Sequence, residues 1–214
     1  MKVKVKICGL TREEDVDSAV EAGADALGFI VGVPSSPRNL SVRRAGELMK
    51  KAPIFVGKVL VTVPRAIWEL RKAVRKLNPD CLQLHGGIRP LMELRKVALN
   101  LPTIKAFRAS EGEIPTIIEE SKFYEAILVD SPSPSKLGGT GKTHDWSLSR
   151  KVRDGIYPKP LILAGGLNAR NVQEAIKAVK PYGVDVSSGV EVKPGVKSFE
   201  KMVNFVEAAK KWDV

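Results

Sequence analysis

LILAGGLNARNVQEAIKAVKPYGVDVSSG, residues 161–189, spells out a strand, a glycine turn, a helix and a second strand. Leu161–Ala164 is a short aliphatic run, and Ala169–Val179 places its apolar side chains at helical spacing. Val184–Ser187 then alternates aliphatic and polar residues with a period of two. A strand joined to a following strand through one helix is a right-handed crossover, which makes the two strands parallel neighbours.

Outward from this unit the same alternation fills the chain. Further strands are expected at Val3–Cys8, Ala26–Val31, Phe55–Val61, Cys81–His85, Thr103–Arg108 and Ala126–Ser131. Helical periods lie between them at Glu13–Ala22, Ser41–Lys51, Pro64–Leu77 and Pro90–Asn100, with Lys197–Lys211 after the last strand. The helix near Pro115–Ser121 is short, and the one at Trp146–Val152 reads as abbreviated. Successive strands start about 22 to 35 residues apart, the size of one βα unit. Eight such units without a break in composition predict one domain over residues 1–214, an α/β fold in which eight parallel strands close into a (β/α)8 TIM barrel.

The chain's 214 residues and 43% hydrophobic content suit a barrel core and exclude a disordered chain. Lys and Arg total 35 against 24 Asp and Glu, a net charge of +11. With only 6% aromatic residues there is no stacking platform for bases, so a small anionic ligand is the expected partner and nucleic acid is not. No apolar run approaches the roughly 18 residues of a membrane span, and the alternating charges of MKVKVKICGL are unlike a signal peptide. Two cysteines and two histidines are too few for a disulfide framework or most zinc sites. A cytoplasmic protein without membrane attachment or metal is expected. Gln83 and Gln173 are the only glutamines, a composition that matches heat-adapted proteins.

Aliphatic strand faces are expected to meet the helix ring, which turns the mixed faces into the barrel. Lys6 and Cys8, then Cys81, Gln83 and His85, then Lys105 and Phe107, Leu128 and Asp130, and Asp185 and Ser187 make up those mixed faces. Cys8, His85, Asp130, Asp185 and Ser187 fall near the carboxyl ends of their strands, where barrel enzymes place their chemistry. Lys6, Lys105 and Asp185 must pair, bind ligand or form a structural network, because lone charges inside a barrel are costly.

Gly165-Gly166, with Asn168 as the expected helix N-cap, and Ser187-Ser188-Gly189 end the seventh and eighth strands. Together these loops match the recurrent phosphate site of this fold. Gly138-Gly139-Thr140-Gly141-Lys142-Thr143 is not a nucleotide loop: Lys136 occupies the place of its first glycine, and Pro132 and Pro134 separate it from the strand. It reads as a flap over the barrel mouth. Cys8 is either a small buried apolar residue or a thiolate base aided by Lys6. Asp130 is either a solvated loop carboxylate or a general acid raised by a dry pocket. Cys81, at the start of its strand, is structural.

These motifs occur in one order: Lys6-Ile7-Cys8-Gly9-Leu10-Thr11, Ser36-Pro37-Arg38, Gln83-Leu84-His85-Gly86, Asp130, Asp145-Trp146, Leu163-Ala164-Gly165-Gly166-Leu167, and Val184 to Glu191. The ordered set resembles the N-(5′-phosphoribosyl)anthranilate isomerases of tryptophan biosynthesis along essentially the whole chain, with His144 where many members carry an aromatic residue. The resemblance implies a cofactor-free Amadori rearrangement, aldose to ketose, yielding 1-(o-carboxyphenylamino)-1-deoxyribulose 5-phosphate. It implies Asp130 as acid, Cys8 as base and Arg38 as partner of the substrate carboxylate. Gly165, Gly166, Ser187 and Ser188 would hold the phosphate, with Gln83, His85 and Asp185 lining the site. Asp185 either orients ribose hydroxyls or pairs with a barrel lysine.

Rivals are the histidine-pathway isomerase, which resembles an Asp/Asp pair, a Schiff-base aldolase using Lys58 or Lys105, and a non-catalytic phosphate- or RNA-binding barrel. A monomer and a homodimer both remain open at this stage.

Overall fold

Val3, Val5 and Ile7 share one face of the first strand, and that face packs against helices, which leaves Lys6 and Cys8 to point inward. The computed structural model describes residues 2–86, 101–108, 110–130 and 146–211. The expected helix at Pro90–Asn100, the flap, His144 and Asp145 lie outside the described residues.

The barrel strands are β1 (Lys4–Cys8), β2 (Ala26–Val31), β3 (Gly57–Thr62), β4 (Cys81–Leu84), β5 (Thr103–Arg108), β6 (Ala126–Asp130), β7 (Leu161–Ala164) and β8 (Gly183–Val186). Each pairs in parallel with the next, and β1 pairs with both β2 and β8, so the sheet closes on itself. The described helices are α1 (Glu13–Glu21), α2 (Val42–Met49), α3 (Ile67–Leu77), α4 (Ile114–Ser121), α5 (Trp146–Ile156), α6 (Val172–Val179) and α7 (Phe199–Lys210). None is long and apolar enough to cross a membrane.

Two apolar layers result. The outer one joins strand residues such as Ile7, Leu27, Phe29 and Leu60 to helix residues such as Leu48, Ile176 and Phe205. Each such large side chain contributes about 1.5–3 kcal/mol when fully buried. The smaller inner layer holds Cys8, Val59, Val61, Ile104, Ala106, Ala126, Leu128 and Ala164.

Four expectations need correction. The third strand begins at Gly57, because Pro53 to Val56 form a turn closed by the Val56 N–H donating to the Pro53 carbonyl at 3.1 Å. Helix α5 runs to Ile156. Gly155 does not stop it; a Cβ there would lie 2.4 Å from Ile118 Cδ1, so glycine admits the α4 side chain. Asn168 does not cap α6: its Oδ1 accepts from Arg170 N at 2.9 Å within a preceding turn, and α6 starts at Val172, with Asn171 at the N-cap position. On β5, Ile104 and Ala106 join the inner layer while Phe107 packs against the outer one, which reverses the expected faces. The inner layer accepts aliphatic residues as readily as the outer, so mixed character alone does not identify the inward side.

Candidate active site

Parallel register brings the first pair of charges together. Lys6 and Asp185 are direct neighbours across β1 and β8, and Lys6 Nζ lies 2.8 Å from Asp185 Oδ1 with the lysine side chain 5% exposed. Burial works against the Lys6 charge, but Asp185 and Cys8 beside it prevail and hold its pKa above the ordinary lysine value. Asp185 therefore pairs with a barrel lysine.

Cys8 ends β1 on the same face as Lys6 and is buried. Its register neighbour is Gly28, where a Cβ would stand 2.8 Å from the sulfur, so the thiol occupies the space that glycine leaves. Lys6 was expected to favour thiolate. It does pull the pKa down, as Lys197 does, but burial is larger and Asp185 adds to it, so the thiol is raised above its ordinary value.

Asp130 ends β6, half-buried, and burial followed by the charge of Asp185 raises its carboxyl, with Arg108 opposing. Arg108 is its register neighbour on β5. One carboxylate, Asp185, thus acts on both Cys8 and Asp130, which sit at the same carboxyl-end rim. His85 follows β4 and is held below the ordinary histidine pKa by burial and by Lys6, hence neutral near pH 7. Its Nε2 lies 2.9 Å from the Gln83 side-chain amide, which ties the ring to the same strand. A cavity of about 590 Å³ runs from His85, Arg108 and Asp130 at this rim outward to Thr116, Ile117 and Glu120 of α4, and Cys8 does not line it.

Lys105 lines the same cavity but lies on the α4 side of its strand. Its ammonium donates to the Gly86 carbonyl and stands 5.1 Å from the Phe107 ring centroid. Burial lowers its pKa, with Glu120 of α4 opposing. Lys58 pairs with Asp80 at 3.4 Å near the opposite end of the barrel. Neither lysine reaches the Cys8–Asp185 cluster, and the Schiff-base reading loses its residues.

The loops after β7 and β8 touch. A Cβ on Gly189 would fall 1.9 Å from the Leu167 carbonyl oxygen, so glycine is what lets them abut. Gly165 and Gly166 have φ of +90° and +63°, the left-handed region, and a Cβ on Gly166 would meet nothing within 4 Å. The expected phosphate residues Gly165, Gly166, Ser187 and Ser188 are thus gathered at one open edge beside Cys8.

Arg38 reaches the same edge: a Cβ on Gly9 would lie 2.4 Å from Arg38 Cδ and 3.0 Å from Ser187 Oγ. Its guanidinium is gripped by Glu191, with Nε donating to Oε1 at 2.7 Å and Nη2 to Oε2 at 2.5 Å. Lys197, whose side chain is fully buried, donates to Glu191 Oε1 at 2.9 Å, to the Cys8 carbonyl at 2.6 Å and to the Ser187 carbonyl at 3.1 Å. Sequence reasoning missed Arg108, Glu191 and Lys197. Glu191 and Lys197 stand six positions apart, on Glu191–Lys193 and Val196–Lys197, two short antiparallel strands turned at Gly195. Two opposite charges flanking a Pro-Gly turn were the available signal. Among the described residues, no group of three or more His, Cys, Asp or Glu is placed to hold a metal.

The family model described as N-(5′-phosphoribosyl)anthranilate (PRA) isomerase matches residues 5–208. An N-(5′-phosphoribosyl)anthranilate isomerase of Haloferax volcanii is 43% identical over 211 residues, covering 97% of this chain and 93% of that protein. The phosphoribosyl anthranilate isomerase structure from Thermotoga maritima superposes with a TM-score of 0.87 at 39% identity, covering 98% of this chain and all of that one. A further structure of such an isomerase holds reduced 1-(o-carboxyphenylamino)-1-deoxyribulose 5-phosphate. It superposes with a TM-score of 0.84 at 36% identity, covering 98% of this chain and all of that one.

Proposed function

This chain belongs to the N-(5′-phosphoribosyl)anthranilate isomerase family and performs that isomerisation in tryptophan biosynthesis, and on that premise we propose that Asp130 is its acid and Cys8 its base. Asp130 gives a proton to the furanose ring oxygen. The C1′–O bond breaks, its electron pair stays with oxygen, and the nitrogen lone pair forms an iminium. The Cys8 thiolate then takes the C2′ proton, and the C–H electrons make an enolamine. Ketonisation delivers one proton to C1′ and removes one from the 2′-hydroxyl, which returns Asp130 to the acid and Cys8 to the thiolate.

Arg38 pairs with the anthranilate carboxylate, while Gly165, Gly166, Ser187 and Ser188 hold the phosphate. Gln83 and His85 line the sugar side, and the Lys6–Asp185 pair sets the field between acid and base. The single observation that carries this reading is the meeting of Cys8, the Lys6–Asp185 pair and the abutting β7 and β8 loops at one rim of the barrel. Following anthranilate-ring fluorescence during incubation with N-(5′-phosphoribosyl)anthranilate tests it, and a purified chain without turnover would defeat it.

Two further outcomes are expected. The reaction needs Asp130 protonated and Cys8 ionised; both are raised, each from an ordinary value in which a carboxyl lies far below a thiol. Between the two pKa values each pH unit gains thiolate tenfold and loses acid tenfold, so kcat/KM is level. It falls below the carboxyl's pKa, where thiolate is lost with no gain in acid, and above the thiol's, where acid is lost with no gain in thiolate. In Asp130→Asn the residual rate should instead climb with pH across the neutral range; a level profile there would contradict the assignment. Separately, Gly189→Ala forces a Cβ onto the Leu167 carbonyl and should cost about 1–3 kcal/mol of stability by overpacking. Inhibition by inorganic phosphate should weaken in the same variant, and unchanged melting and inhibition would remove the loop contact from the account.

The chain acts as a monomer or homodimer in the cytoplasm. Exposed Ile54 and Phe55, ahead of β3, are the apolar surface a dimer would cover, which sedimentation reads.

A further inference from the structure

We propose that Glu191 is a positioning residue that aims Arg38 at the substrate carboxylate, and that Lys197 anchors Glu191 from below. A guanidinium offers two edges to a carboxylate, one through Nε and one Nη, the other through both Nη groups. Glu191 occupies the Nε–Nη2 edge with bonds of 2.7 and 2.5 Å, which leaves the Nη1–Nη2 edge for a second carboxylate. Among the described residues no other acceptor meets the Arg38 guanidinium.

The clamp is itself held. The Glu191 side chain is 5% exposed, and its Oε1 also accepts from Lys197 Nζ at 2.9 Å and from Gly195 N at 3.3 Å. Its own carbonyl accepts from Lys201 Nζ at 2.7 Å. Lys197 carries the hold onward to the Cys8 carbonyl and the Ser187 carbonyl, so base, phosphate loop and arginine hang on one buried ammonium. A buried ion pair of this kind is weak evidence for stability and better understood as fixing one arrangement. Arg38 sits in a loop, half-buried, where a long side chain would otherwise sample several rotamers. Holding it in place lowers the ordering cost of binding the substrate. Burial works against ionisation of Glu191, but the Arg38 and Lys197 hydrogen bonds win and keep its carboxyl below the ordinary value, so it remains an anion that grips at neutral pH.

The inference rests on Arg38 meeting the substrate carboxylate, and a double-mutant cycle separates the two. Arg38→Ala should raise KM; if KM is unchanged, the arginine's assignment fails, and the positioning role with it. Given that rise, Glu191→Gln should raise KM roughly 10–100-fold, the loss expected for a bond between charged groups, with kcat within about threefold. Added to Arg38→Ala, it should have little further effect, because it acts through the arginine. The competitive inhibition constant of inorganic phosphate should stay within about twofold of the parent.

A Glu191→Gln chain with lowered melting temperature and unaltered KM overturns the positioning role and leaves the Arg38 assignment standing. Should that variant not fold, Arg38→Lys decides the matter: it keeps the charge but lacks the second edge. KM should rise nearly as far as in Arg38→Ala, and a parental KM overturns the inference.

Discussion

Asp130→Asn should lower kcat for N-(5′-phosphoribosyl)anthranilate by about 10²–10⁴-fold, the contribution of a placed general acid. The amide matches the carboxyl in size but has no proton acidic enough to hand to the ring oxygen. Ring opening then depends on water and on whatever polarisation Arg108 supplies from the neighbouring strand. Asp130 is half-buried, its pKa is raised by burial and by Asp185, and among the described residues it takes part in no ion pair. Removing its charge relieves a desolvated group next to Asp185 at the cost of an attraction to Arg108, and the melting temperature should stay close to the parental value. Stopped-flow fluorescence of the anthranilate ring reads the chemical step, and a thermal melt reads the fold. Full activity in Asp130→Asn would end its role as the acid.

The second large effect is expected at Cys8. Cys8→Ala removes the proposed base, and kcat should again fall by about 10²–10⁴-fold. Alanine leaves a small void beside Gly28 and the inner aliphatic layer, for which about 1 kcal/mol of destabilisation is typical. Cys8→Ser should not restore the rate. Its hydroxyl is far less acidic than a thiol, and the burial that already raises the thiol penalises an alkoxide more. Phosphate inhibition should persist in both variants, because the loops after β7 and β8 are untouched. A parental rate in Cys8→Ala would falsify the base assignment outright, whereas loss of both rate and phosphate inhibition would point to a disturbed rim.

Asp130 and its neighbour across the rim were not equally legible. Asp130 could be placed at a strand end from Ile127-Leu128-Val129 alone, since a period of two and a terminal polar residue are local properties. Arg108 went unnoticed because β5 was assigned the wrong inward face. Ile104 and Ala106 are aliphatic, and only the closed ring shows that the inner layer is built from such residues near Cys8 and Leu128. The turn at Asn168 and the continuation of α5 through Gly155 escaped as well. The first is a choice between two asparagines three residues apart, either of which could cap, and the second depends on Ile118 across the helix contact.

Alternation along the chain was enough to determine eight parallel strands, their connecting helices and the rim on which Cys8, His85, Asp130 and Asp185 stand. Those features come from backbone periodicity and crossover handedness, which act over a few residues at a time. Closure of the barrel decided the rest. It sets Lys6 against Asp185 across 179 positions and Arg38 against Glu191 across 153, and it sinks Lys197 beneath both the base and the phosphate loop. Charges so far apart in sequence meet only when the first and last strands pair. The same closure removes water from the thiol, and that desolvation outweighs the lysine two residues away.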